Sequence, residues 1–198
     1  MLSVYRIPFS TNVERVALAA AHKGIELEWI DVSEDDRSPV VAASGQELVP
    51  VLDHDGRIVF DSTVILRYVD QLVPEPVLFR TAEIEIFVDW FNRVWKVPPN
   101  AIDAERASTE PDQARIDALG AEMTGSISLF ERLLGEREYL FGDLSAADCA
   151  AFPFLKYALD DNEEDDDSFH QILREFLPLE PGSSLADWIR RVDVLPRA

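Results

Sequence analysis

A chain of 198 residues, 47% of them hydrophobic, holds enough apolar material for one large domain or two small ones with sizeable cores. Its formal net charge of −20, from 38 Asp and Glu against 18 Lys and Arg, argues against nucleic acid or an anionic membrane surface as partner, since both recruit clustered Lys and Arg against phosphate. There is no basic start followed by an apolar stretch and a cleavage site, and no apolar run approaches ~18 residues, so neither a signal peptide nor a membrane span is expected and the reading is cytoplasmic.

Residues 2–7 alternate weakly as a strand, and residues 11–23 place Val13, Val16, Ala17 and Ala20 on one helical face that Gly24 closes. Pro8 and Phe9 end the strand pattern between them. Thr11 followed three residues later by Glu14 reads as a capping box, with Thr11 as the helix cap. The Ser10 hydroxyl is then left just outside a helix N-terminus, where unpaired N–H groups and the helix dipole favour an anion. In the other reading Ser10 is the cap, Thr11 is the first helical residue, and neither does chemistry.

Glu26 to Val32 alternates as a second strand, and after a charged loop Pro39 to Ala43 suits a short helix. Leu48 to Leu52, the turn Asp53-His54-Asp55-Gly56, and Arg57 to Phe60 form a hairpin signature. Pro50 cannot donate to a ladder, so it belongs at a strand start or on an edge and forces Val49 toward an extended conformation. Asp61-Ser62 opens a third helix with Ile65, Leu66, Tyr68 and Val69, and either residue suits its N-cap.

Beyond Leu72-Val73-Pro74-Glu75-Pro76 the patterns are helical. Residues 81–96 put Phe87, Trp90, Phe91 and Val94 on one apolar face before Pro98-Pro99 interrupts. A long helix is predicted over 111–135, and Ser145-Ala146-Ala147-Asp148 is a capping box opening a helix with Cys149, Phe152, Phe154, Leu155 and Leu159. Residues 185–192 read as a short amphipathic helix. The acidic run 160–167 reads as a solvated loop, without the glycine and ligand periodicity of a calcium loop. The single cysteine, Cys149, excludes an intrachain disulfide and a thiolate-rich zinc site and reads as a packing residue. His22, His54 and His170 are scattered without metal-ligand spacing, so they read as structural and no metal is expected.

The order βαβαββα in residues 1–75, with a proline beginning the third strand, resembles the thioredoxin-like N-terminal domain of glutathione transferases. Ser10-Thr11-Asn12-Val13-Glu14-Arg15-Val16 resembles the phi-class serine motif, and Arg37-Ser38-Pro39 resembles that class's Lys-Ser-Pro. Leu48-Val49-Pro50-Val51-Leu52 is similar to the omega-class segment, and Asp61-Ser62 takes the place of the Glu/Gln/Asp-Ser pair of most classes. The resemblance implies an α+β fold: a thioredoxin-like glutathione-binding domain over 1–75 and an all-helical domain over 82–198, associated as a homodimer.

It also implies roles. Ser10, with Thr11 as runner-up, donates a hydroxyl to the glutathione thiolate. Val49, before a cis Pro50 and after Leu48, pairs its backbone with the cysteinyl unit; Asp61 takes the α-ammonium, Ser62 the α-carboxylate, and Arg37 the glycyl carboxylate. Phe87, Trp90, Phe91 and Trp95 line a site for a small apolar electrophile, against the alternative that this aromatic face is core. Asp36 stands where phi proteins often carry histidine, Leu48 lacks a polar side chain, and Ser10 replaces the omega-class cysteine. The implied reaction is conjugation of glutathione to the electrophile. A non-catalytic binding or assembly module of the same fold and a glutathione-dependent isomerase are the alternatives.

Overall fold

The computed structural model describes residues 1–162 and 164–198; Glu163, inside the acidic run, lies outside the described residues. Two compact units are present, Met1–Ala82 together with Leu195–Ala198, and Glu83–Val194. Residues 195–198 pack with the first unit.

The first unit runs β1 (Leu2–Arg6), α1 (Thr11–His22), β2 (Glu28–Asp31), α2 (Ser38–Ser44), β3 (Val51–His54), β4 (Arg57–Phe60) and α3 (Ser62–Leu72). Its sheet has the order β2-β1-β3-β4. β1 is parallel to β2, with Val4 opposite Trp29, and antiparallel to β3, with Val4 opposite Leu52. Val4, Val51 and Leu52 are fully buried, as are Val16 and Ala20 of α1 and Ile65 and Val69 of α3. The β3–β4 loop is the two-residue Asp55-Gly56, both at positive φ (51° and 89°), which matches the twist of the flanking strands.

Several boundaries move from the sequence reading. His54 ends β3 instead of lying in the turn, β2 starts at Glu28, and the ladder of β3 starts only at Val51. The Val49–Pro50 bond is cis and precedes that ladder, as a residue without an N–H requires. Lys23, buried at the end of α1, donates through Nζ to Asp70 Oδ1 and to the Pro76 carbonyl, each at 2.6 Å. Asp70 also accepts from the N–H groups of Leu78 and Phe79, so one carboxylate fixes the segment after α3. Residues 195–198 are held on this unit by Ala198 N–H to the Ala17 carbonyl (3.1 Å) and by Trp29 Nε1–H to the Ala198 carbonyl (2.8 Å).

The second unit holds α4 (Ala82–Trp90) from its second residue on, a π-helical turn (Phe91–Trp95), α5 (Val97–Arg106), α6 (Gln113–Leu134), α7 (Ala146–Leu155), a 3₁₀ turn (Lys156–Ala158), α8 (Ser168–Phe176) and α9 (Ser184–Asp193). Its core is aromatic: Phe91 stacks on Trp95 with centroids 4.5 Å apart, and both meet Phe130 and Phe154 edge-on. Pro98 and Pro99 begin α5, where missing N–H groups cost nothing. The α7 capping box is present, but that helix ends at Leu155, leaving Leu159 outside it. α8, which the sequence reading lacks, packs the acidic run onto itself. Arg174 reaches Asp160 (2.8 Å) and Asp165 (2.5 Å), and buried His170 bridges Asp165 and the Tyr157 hydroxyl, each at 2.8 Å.

Candidate active site

Strand register gathers the sequence-selected residues of the first unit. Arg6 lies opposite Asp31, Tyr5 opposite Val51, and Val51 opposite Phe60. The segments leaving β1 and β2, entering β3 and leaving β4 therefore emerge at one end of the sheet. These segments hold Ser10, Arg37, Leu48-Val49-Pro50 and Asp61-Ser62.

Ser10, not Thr11, is the N-cap of α1. Phe9 takes a left-handed φ of 70°, which turns the chain one residue earlier than the motif suggests, and Ser10 follows in an extended conformation. The Ser10 carbonyl accepts from Val13 and Glu14 N–H groups at 3.0 Å, yet its side chain makes no cap hydrogen bond. The Thr11–Glu14 capping box does not form, because Thr11 is inside the helix and Ser10 holds the cap position; Glu14 Oε1 accepts from Arg197. Thr11 becomes the first residue of α1 and is buried. A half-buried serine hydroxyl with no structural duty thus stands at the positive end of a 12-residue helix.

Asp61 caps α3: at φ 69° its Oδ1 accepts from Thr63 N–H (2.9 Å) and Val64 N–H (3.1 Å). Only one carboxylate oxygen serves the cap. Ser62, the first residue of α3, is buried and its hydroxyl lies 3.3 Å from Arg15 Nη1 and 3.4 Å from Asn12 Oδ1. Arg15 is 1% exposed. A buried guanidinium therefore ties α1 to the first turn of α3 and adds positive potential there. The sequence reading missed Arg15 and Asn12 as site residues; the available signal was an arginine set among Val13, Val16 and Ala17 on a buried helix.

Val49 packs against Ile7, Val32, Val40 and Val51, and its N–H and C=O lie outside the ladder that starts at Val51. Such groups are suited to an extended ligand backbone. Leu48 is 76% exposed, and its backbone is bracketed by Gln46, which accepts from its N–H (2.6 Å) and donates to its carbonyl (2.8 Å). Arg37 donates from Nε to the Glu34 carbonyl (3.1 Å). Beside it, hydrogen bonds from the Ser38 side chain and backbone hold the exposed Asp36 carboxyl below the usual carboxylate range.

Phe87, Phe91 and Trp95 are buried in the second unit's aromatic core, the packing alternative for that face, while Trp90 is half-buried. Among the described residues no group of three or more His, Cys, Asp or Glu side chains is placed to hold a metal ion. No helix among them is long and apolar enough to cross a membrane.

Residues 4–77 match a family model described as glutathione S-transferase, N-terminal domain. The chain is 28% identical over 176 residues to the rice (Oryza sativa subsp. indica) protein named "Probable glutathione S-transferase GSTU1", covering 79% of this chain and 72% of that one. A glutathione S-transferase from Rhodospirillum rubrum F11 superposes with a TM-score of 0.67 at 28% identity, covering 89% of this chain and 86% of its own. A Tau class glutathione S-transferase from mango, Mangifera indica, gives a TM-score of 0.77 over 98% of this chain and 92% of its own; at 17% identity that likeness is one of fold.

Proposed function

We propose that the chain acts as a glutathione S-transferase, the family its first unit and its relatives resemble, and that it activates the glutathione thiol through Ser10 for conjugation to an apolar electrophile. The observation that carries this reading is the Ser10 hydroxyl, which occupies the N-cap of α1 without capping it. Bound glutathione supplies a thiol whose deprotonated form is the nucleophile. Ser10 donates its hydroxyl to the sulfur and, with the N-terminus of α1, favours the negative charge. Lowering a thiol pKa by ~2 units takes ~2.7 kcal/mol of differential stabilisation, within reach of one charge-assisted hydrogen bond plus a helix terminus.

Val49 offers its N–H and C=O to the cysteinyl unit as a short piece of added strand, with Pro50 leading into β3 and Leu48 flanking. The Asp61 oxygen not used by its cap accepts from the α-ammonium, and Ser62, oriented by Arg15 and Asn12, takes the α-carboxylate at the start of α3. Arg37 takes the glycyl carboxylate. Trp90, half-buried, is the member of the aromatic set suited to meet the electrophile.

Calorimetric titration with reduced glutathione, followed by the ultraviolet thiolate band of the complex, tests the reading. Ser10→Ala is expected to lower kcat at least ~10-fold and abolish the band with little change in binding, because the bond strengthens only with the thiolate. An unchanged band in Ser10→Ala sinks the assignment. Asp36, ionised beside Arg37, and the exposed Leu48 favour a second reading, a binding module without catalysis; failure of glutathione to bind at millimolar concentration selects it. The assembly proposed for either reading is a homodimer, and sedimentation as a monomer refutes it.

A further inference from the structure

Glu14 and Arg197 form a pair to which the reading above gives no role. Glu14 lies in the first turn of α1, four residues after Ser10 and so about 6 Å of axial rise away. Arg197, 183 positions further along the chain, donates from both Nε (3.2 Å) and Nη2 (3.0 Å) to the same Glu14 oxygen. Its Nη1 donates to the Leu195 carbonyl, so all three guanidinium nitrogens are engaged. The side chains are only 25% and 17% exposed, which weakens screening by water and salt. The two backbone-anchored bonds of Ala198 keep the segment in place against α1 and β2.

A carboxylate in the first turn suits a helix dipole, but it opposes a second anion at the same terminus. The thiolate proposed at Ser10 is such an anion. We propose that Arg197 is a positioning residue for the chemistry at Ser10: by neutralising Glu14 it keeps the N-terminus of α1 electrostatically open to a negative sulfur. The inference rests on the Ser10 reading. Other charges around this end are Arg15 on α1 itself, Asp61 at the start of α3, Asp36 and Arg37 before α2, and the Arg6–Asp31 pair on β1 and β2 (2.6 Å). Changes confined to Glu14 and Arg197 leave all of these in place.

The experiment introduces a reporter thiol by Ser10→Cys in the full chain and reads its pKa from the pH dependence of alkylation by iodoacetamide. The unsubstituted chain gives the background from buried Cys149. Adding Arg197→Ala is expected to raise the reporter pKa by about half a unit or more, because the positive charge paired with Glu14 is removed, and adding Glu14→Gln to lower it. With both changes the value returns close to the parent, and Arg197→Lys keeps most of the parent value by keeping the charge. Equal reporter pKa values in Arg197→Ala and Glu14→Gln, or shifts in the same direction, overturn the proposal; loss of packing alone does not produce opposite signs. If glutathione fails to bind the unsubstituted protein, the transferase reading falls, while the reporter titration still decides whether Arg197 sets the charge balance at α1.

Discussion

His22, the last residue of α1, makes a single side chain legible in the pH dependence of stability. Its pKa is lowered, first by burial and then by the nearby charges of Lys23 and Arg80. The folded chain therefore keeps His22 neutral, while the unfolded chain takes up a proton once the pH falls below the ordinary histidine value of about 6.5. In that window the unfolded state binds more protons, so stability falls with pH until the folded histidine also titrates. Denaturant melts of His22→Gln against the parent are expected to show a flatter slope just below neutral pH; identical slopes contradict it. Asp165 acts in a lower window. Burial pushes its carboxyl up, but hydrogen bonds from Arg174, Asp167 N–H and His170 outweigh that and hold it low. Its contribution is present above the ordinary Asp value and is lost as the pH falls through its folded value.

The same scale explains what a reader of the chain sees and misses at the site. Residue types announce Ser10 and Asp61-Ser62, because hydroxyls and carboxylates before apolar helical runs are helix-start chemistry, and Val49-Pro50, because a proline without an N–H belongs at a strand's start or edge. Of the two cap readings the sequence allows, the structure has Ser10 as the cap and Thr11 as the first helical residue; the positive φ of Phe9 goes with it, and nothing in the Phe9 side chain demands that. The Thr11–Glu14 spacing is real, but Thr11 lies inside the helix; Glu14 pairs with Arg197, and a contact across that separation leaves no local pattern. Arg15 and Asn12 were hidden for a similar reason: their partner, Ser62, belongs to another helix.

Among elements, α7 shows how one side chain starts a helix and braces its neighbours. Asp148 is fully buried; Oδ1 accepts from Leu140 N–H (3.0 Å) and Trp188 Nε1–H (2.9 Å), and Oδ2 from Ser145 N–H (3.0 Å) and its hydroxyl (2.9 Å). Burial pushes this carboxyl up despite the four donors. Asp148→Asn replaces an acceptor by an NH₂ group and leaves donors facing donors. The expected loss is about 2–4 kcal/mol of unfolding free energy, read from a shift in denaturant midpoint. A change within a few tenths of a kcal/mol contradicts the role given to the carboxylate. This box was legible because both halves fall within four residues. α8 was not: its cap, Asp167, stands in a row of acids that reads as a solvated loop, and the partners that fold the run back, His170 and Arg174, come after it. Pro98-Pro99 was visible as punctuation but ambiguous in sense, since prolines that stop one helix equally begin another.

For the molecule as a whole, the strand and helix order of the first unit follows from local signals: hydrophobic periodicity, an Asp-Gly turn and a proline placed ahead of a strand. Its closure does not. Residues 195–198 complete the packing of α1 and β2 from the far side of the sequence, so the first unit is built from two separate pieces of chain. During synthesis at about 5–20 residues per second, the ribosome needs about 6–22 s to make the residues between 82 and 195. For that interval the nascent first unit has Glu14 without Arg197 and Trp29 without its carbonyl, and the last contacts at the helix that carries Ser10 are made only when translation has passed Ala198.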